Sequence, residues 1–179
     1  MENTTHKGLR SIVYESAMAG MLLAALLTFQ TLHIPKLITG VVVNAVFIIA
    51  FLIGGLRVAS VLALMSPVGA IVTGHLPAPL MPFVPLIAVG NILFVRFYAR
   101  YYKRHMIMRY MCPVLSKAFI MLVGGLFMMS YLPIDGANMP ILWIVLGIQV
   151  VTGIGGIFVA ESCSTSGILP RNKGLPKTF

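Results

Sequence analysis

The feature that most constrains this chain is the apolar stretch over residues 58–95, which contains no Lys, Arg, Asp or Glu. A soluble domain carries about 25% charged residues, whereas only 9% of this chain is charged and 59% is hydrophobic. A helix crosses about 30 Å of hydrocarbon with about 20 residues, so this one stretch is long enough for two crossings. The sequence therefore predicts a multi-pass membrane protein and excludes an ordinary soluble enzyme, a coiled coil and a disordered chain.

Glycine and proline divide the apolar sequence into six predicted spans. Gly54-Gly55 indicates a tight turn, and Pro77, Pro79 and Pro82 stop any helix that reaches them, because they remove backbone donors and fix φ. The predicted spans are residues 12–30, 37–56, 58–73, 82–98, 113–132 and 140–161. We expect an all-α membrane protein with six transmembrane helices in a single bundle, and residues 1–179 form one domain.

The net charge of +9 is explained by topology. With six spans both termini lie on one side, and that side receives twelve of the thirteen basic residues, Lys117 among them, while Lys36 alone lies on the other. The positive-inside rule then places both termini in the cytoplasm. The run Arg96–Tyr110 is interpreted as a cytoplasmic loop with interfacial tyrosines, or as a surface for a partner subunit or anionic lipids. Nucleic-acid binding is not expected.

No catalytic signature is present in the chain. The sequence contains no G-x-S-x-G, H-E-x-x-H, Walker or G-x-G-x-x-G motif, and Cys112 and Cys163 have no metal-ligand spacing. His33 and His75 are possible metal ligands, but no third ligand lies at a recognisable spacing. We therefore expect neither an enzyme nor a resident cofactor or metal.

Polar residues that topology does not explain fall into two groups, which together outline a cavity open to the outside. The outer loops carry His33, Lys36, Thr39, His75, Asp135 and Asn138, and the spans carry the amides Asn44, Asn91 and Gln149. Each amide lies eight or nine residues below the outer end of its span, about 12–14 Å at ~1.5 Å per residue. Their alternative role is hydrogen bonding between helices. Trp143 is interpreted as an interface anchor, or as an aromatic wall for a ligand.

Small residues line one face of the first span. Ala17, Gly20 and Ala24 follow each other at helical spacing, which allows the backbone of another helix to approach closely. Packing within the same chain and packing against another protein are both compatible with this pattern.

Three parts of the sequence resemble the substrate-binding S components of energy-coupling factor (ECF) transporters. They are Leu32–Ala45, the pair Ser66–Ala70 and Gly74–Pro79, and Pro85–Asn91. The resemblance covers about a third of the chain, within residues 32–97.

The resemblance implies a small six-helix protein in the plasma membrane of a prokaryote that captures a vitamin or other micronutrient from outside. It further implies that a transmembrane coupling subunit and two ATPase subunits deliver the ligand inward, and that the small-residue face of the first helix meets the coupling subunit. Here Gly20-x-x-x-Ala24 stands where the family has A-x-x-x-A. The alternative is a self-sufficient small carrier or channel, for which the sequence offers no evident charge in mid-membrane.

Overall fold

The computed structural model describes residues 2–32, 34–131 and 139–167, and these residues form helices and short connections. The helices are α1 (Glu2–Thr31), α2 (Lys36–Val72), a 3-10 segment (Ala78–Phe83), α3 (Val84–Tyr101), α4 (Met106–Tyr131) and α5 (Met139–Thr165). Five helices among the described residues are long and apolar enough to cross a membrane. The prediction of an all-helical membrane protein is confirmed at this level.

Helix α2 is interrupted at Gly55, where the chain reverses direction. Gly55 has φ 81° and ψ −176°, which lies outside the helical region. Lys36 and Ala70 line the same cavity, although a straight helix would separate them by about 50 Å at ~1.5 Å per residue. We therefore describe α2 as a first arm, residues 36–54, and an antiparallel second arm, residues 56–72.

Close contacts through glycine set the order of helices around the two arms. A Cβ on Gly54 would meet Met18 of α1, and one on Gly69 would meet Leu27, so α1 runs parallel to the second arm. A Cβ on Gly40 would meet Thr152, so α5 runs beside the first arm. Helix α3 lies between the second arm and α4, which in turn packs against α5.

The centre of the bundle is apolar and fully enclosed. Phe47 and Ile48 of the first arm, Leu62 of the second, Phe94 of α3 and Ile157 of α5 are all 0% exposed. Because side chains from four helical segments meet there, their packing fixes the relative placement of the elements that line the cavity.

The start of α1, the turn at Gly55, the α3–α4 connection and the end of α5 all lie at one end of the bundle. Phe51, just before the turn, packs edge-on against Tyr98, with ring centroids 5.8 Å apart. Tyr98 near the end of α3 donates a hydrogen bond to Glu161 near the end of α5. We call this the Gly55 end, and the opposite one the cavity end.

Helix α4 begins earlier than the sequence predicted. Pro113 was interpreted as the start of a span, but it lies inside α4, which begins at Met106. The basic loop predicted over Arg96–Tyr110 is accordingly short, because most of it belongs to the ends of α3 and α4. A proline inside a helix is tolerated in a bundle where neighbouring groups satisfy the freed backbone carbonyl.

Candidate functional site

A cavity of about 400 Å³ lies at the cavity end, between both arms of α2, α3, α4 and α5. Its size falls in the range of pockets that bury a small organic molecule, roughly 300–1,000 Å³. The polar lining residues are Lys36, Asn44, Ser66, His75, Asn91, Lys117, Gln149 and Thr152. The walls are largely aliphatic, with Val43, Ile87, Ile141, Ile144, Val145 and Ile148. The site can therefore enclose an apolar body and address a few polar groups on it.

A hydrogen-bonded network of buried side chains lines part of this cavity. The Nζ of Lys117 donates to the Oδ1 of Asn44 at 3.0 Å. The Nδ2 of Asn44 donates to the backbone oxygen of Gly40 at 2.9 Å and to the Oγ1 of Thr152 at 3.2 Å. Lys117 is 3% exposed, Asn44 is 2% exposed and Thr152 is 1% exposed. The first arm, α4 and α5 are thus joined through polar side chains in the interior.

An aromatic ring lies beside the buried ammonium. The Nζ of Lys117 is 5.4 Å from the centroid of the Phe94 ring on α3, a distance at which a cation and an aromatic face attract each other. A buried ammonium in the middle of a helical bundle is costly unless it is compensated. The Asn44 carbonyl and the Phe94 ring supply part of this compensation.

The segment that follows the second arm covers one side of the cavity. His75, Leu76, Pro77 and Leu80 all contribute to its lining. Gly74, just before them, has φ 68°, a left-handed conformation that favours glycine. The prolines predicted to break the helix here therefore place a non-helical cover, ending in the 3-10 segment, over the site.

The structure brings five of the predicted ligand-binding residues to this cavity: Lys36, Asn44, His75, Asn91 and Gln149. Asn91 is 3% exposed and its Nδ2 donates to the backbone oxygen of Ala63 at 3.4 Å, so it also joins α3 to the second arm. The amides Asn44, Asn91 and Gln149 of three predicted spans thus line the same cavity.

The other predicted residues do not line the cavity or fall outside the described chain. Thr39 is buried and donates to the backbone oxygen of Ile34 at 3.3 Å, and it is not among the lining residues. Trp143 is 61% exposed on α5 and is not among the lining residues. His33, Asp135 and Asn138 lie outside the described residues.

The small residues predicted to dock a partner lie on the surface of α1. Ala17, Gly20 and Ala24 are all exposed, and a Cβ added to Gly20 would meet nothing within 4 Å. Within the described residues this face is not covered by another helix of the same chain. Packing inside the chain is instead made by Met18 and Leu26 on the opposite face of α1, which are buried.

Lys117 lines the cavity, whereas the sequence analysis placed it with the cytoplasmic basic residues. It was counted with the cytoplasmic basic residues because Pro113 was interpreted as a helix start, but it lies in the interior of α4 and lines the cavity. The buried residues of α4 include Tyr110, Val114, Lys117 and Met121. Their spacing of three or four marks one helix face, and this was the signal in the sequence that could have found Lys117.

Comparison of the chain with protein-family models, with curated proteins and with solved structures found no match.

Proposed function

We propose that this protein is the substrate-capture subunit of an ECF-type importer. It binds a vitamin or other micronutrient from outside in the cavity, and a coupling subunit with two ATPase subunits delivers the ligand inward. The observation that carries the proposal is the cavity at one end of the bundle, which Asn44, Asn91, Lys117 and Gln149 line together with aliphatic side chains. It is a binding site of the size and composition typical of small-molecule recognition.

The proposal includes six membrane crossings with both termini in the cytoplasm. The two arms of α2 are about 28 and 25 Å long at ~1.5 Å per residue, close to the ~30 Å of a hydrocarbon core. Each arm then crosses once. At the Gly55 end, Arg57 starts the second arm, Arg96 and Arg100 lie in the last turns of α3, and Lys103 and Arg104 lie in the α3–α4 connection. The positive-inside rule then places that end in the cytoplasm and the cavity end outside.

The exposed face of α1 supports a partner in the membrane. Small side chains allow two helices to approach closely, and association in lipid depends on such packing. Ala17, Gly20 and Ala24 present this kind of surface without a helix of the same chain on it among the described residues. In the proposed complex this face meets the coupling subunit.

Co-purification tests the proposed complex. The tagged chain is expressed with the coupling subunit and ATPases of its source organism, and we expect the four proteins to purify together. Gly20→Leu should abolish co-purification because its side chain separates the two helices. Gly147→Leu is the matched control, since Gly147 is also a helical glycine with nothing within 4 Å of an added Cβ. Failure of the wild-type chain to co-purify, or equal loss in both variants, contradicts the proposal.

One observation favours a second candidate function, a self-sufficient small carrier. Such a carrier requires an ionisable group in the membrane interior, and Lys117 is one. The two functions differ in their need for ATPases. Mass spectrometry identifies the small molecules released from the purified protein. Proteoliposomes that contain this chain alone are then tested for uptake of those molecules. Uptake without ATPases supports the carrier, whereas binding without uptake supports the capture subunit.

A further inference from the structure

We propose that the ligand of this cavity is a small organic monocarboxylate with an apolar body, and that its carboxylate pairs with the ammonium of Lys117. This inference rests on the proposed function and names the substrate class of the same site. It starts from the hydrogen-bond donors of Lys117 that the network of Lys117, Asn44 and Thr152 leaves unused.

The ammonium of Lys117 has more donors than the protein uses. A lysine ammonium carries three N–H donors and no acceptor, and the described residues offer it one oxygen, the Oδ1 of Asn44. Among those residues no carboxylate lies within ion-pair distance of it. A buried cation without a counter-charge is costly. An anion that enters the cavity therefore supplies the missing counter-charge and accepts hydrogen bonds from the unused N–H donors.

The neighbouring groups are already occupied, which makes Lys117 the point of recognition. Both N–H groups of the Asn44 amide have acceptors, Gly40 and Thr152, so the amide is held with Oδ1 toward Lys117. The hydroxyl of Thr152 accepts from Asn44 and donates to the backbone oxygen of Gln149 at 3.4 Å. This network orients the lysine without competing for an incoming anion.

The rest of the lining fits a single negative charge on an apolar body. The aliphatic side chains Val43, Ile87, Val145 and Ile148 line the cavity beside these polar groups. Among the described residues no arginine lines the cavity, and arginine is over-represented where a phosphate group is held by two parallel hydrogen bonds. Lys36 also lines the cavity and is exposed. This second cation attracts anions toward the cavity.

Pairs of ligands with equal shape and different charge test this class directly. The purified protein in nanodiscs is titrated with 3-phenylpropanoate and with its neutral twin 3-phenylpropanamide, then with hexanoate and hexanamide, while the thermal midpoint is recorded. We expect each acid to bind at least about tenfold more tightly than its amide, because hydrogen bonds between two charged groups are about twice as strong as those between neutral groups. The cation 3-phenylpropylammonium and the ester 2-phenylethyl phosphate should not stabilise the protein.

A conservative variant assigns the preference to Lys117. Lys117→Gln keeps a donor for Asn44 and removes the charge, so we expect it to lose the acid preference while amide binding stays unchanged. Lys103→Gln, at the exposed α3–α4 connection, is the control and should retain the preference. If the Lys117→Gln protein does not fold, the comparison of acids with amides in the wild-type protein still tests whether the site prefers a carboxylate.

Four outcomes overturn the inference: equal binding of acid and amide, tighter binding of the phosphate ester or the ammonium, an acid preference that survives Lys117→Gln, and no binding by any of the probes. None of them bears on assembly with the coupling subunit. A chain that co-purifies with its ATPases but shows no acid preference keeps the proposed function and loses this substrate class. A chain that shows the acid preference but does not co-purify with the ATPases keeps this ligand class and loses the proposed assembly.

Discussion

The carboxylate of Glu161 near the end of α5 binds the guanidinium of Arg109 near the start of α4. The Nη2 of Arg109 donates to Oε2 at 3.0 Å, and the Nε lies 2.8 Å from Oε1 without the alignment of a hydrogen bond. The hydroxyls of Tyr98 and Tyr110 donate to the same carboxylate at 2.9 and 3.2 Å. One side chain thus joins α3, α4 and α5 at the Gly55 end, opposite the cavity.

Glu161→Gln should destabilise the protein by about 1–3 kcal/mol, since it leaves a partly buried guanidinium without a counter-charge and turns an amide donor toward other donors. The free energy of unfolding, measured by SDS titration in mixed micelles, gives the change. Ser162→Ala is the control on the adjacent exposed residue and should change stability by less than about 0.5 kcal/mol. Equal stability of Glu161→Gln and the wild type would show that the contacts of Glu161 with Arg109, Tyr98 and Tyr110 contribute nothing to the free energy of unfolding.

Gly156→Ala should destabilise the contact between α5 and the first arm. A Cβ there would lie 2.5 Å from the Cβ of Asn44 and 2.9 Å from the backbone nitrogen of Ala45, so backbone has to move. Overpacking of this kind costs about 1–3 kcal/mol. Gly147→Ala meets nothing within 4 Å and should be neutral or slightly stabilising, because alanine favours helix by up to about 1 kcal/mol. The prediction fails if the two variants unfold at the same temperature.

Gly55→Ala should weaken the reversal between the two arms for a different reason. Nothing lies within 4 Å of an added Cβ, but φ 81° with ψ −176° is a conformation that essentially only glycine adopts. The backbone strain is worth about 1–3 kcal/mol. We expect a lower thermal midpoint in nanodiscs, and a further decrease with the β-branched residue in Gly55→Val. A Gly55→Val protein as stable as the wild type would contradict the assigned turn.

Local sequence signals predicted the break at Gly55 and the non-helical cover after Gly74, because glycine and proline act through their own backbone geometry. The meeting of Asn44, Asn91 and Gln149 was predictable for a related reason, since depth in a span follows from helical rise. Lys117 was not predicted, because the helical start at Met106 depends on packing of Tyr110 and Val114 against other helices rather than on Pro113. Asn44 lies 73 residues away from Lys117 in sequence, and Phe94 lies on the preceding helix. No local sequence pattern encodes these contacts.

The bond between Lys117 and Asn44 should appear as an energetic coupling. Asn44→Ala removes the only described oxygen that the buried ammonium of Lys117 contacts, and loss of one partner of a buried charge costs about 3–5 kcal/mol. Lys117→Met removes the charge and keeps the volume. In that background Asn44→Ala should cost about 1–3 kcal/mol less than in the wild type, the coupling expected for residues in one network. The four proteins of the cycle are compared by SDS titration.

A distant pair supplies the control for this cycle. Ser130, near the other end of α4, is exposed and donates to the backbone oxygen of Leu126, so Ser130→Ala and Lys117→Met should add within about 0.5 kcal/mol. Additive costs for Asn44 and Lys117 as well would mean that the ammonium does not depend on the amide. Because the two contributions that Asn44 makes to Gly40 and Thr152 are lost in both backgrounds, the coupling isolates the Lys117 bond from the rest of the network.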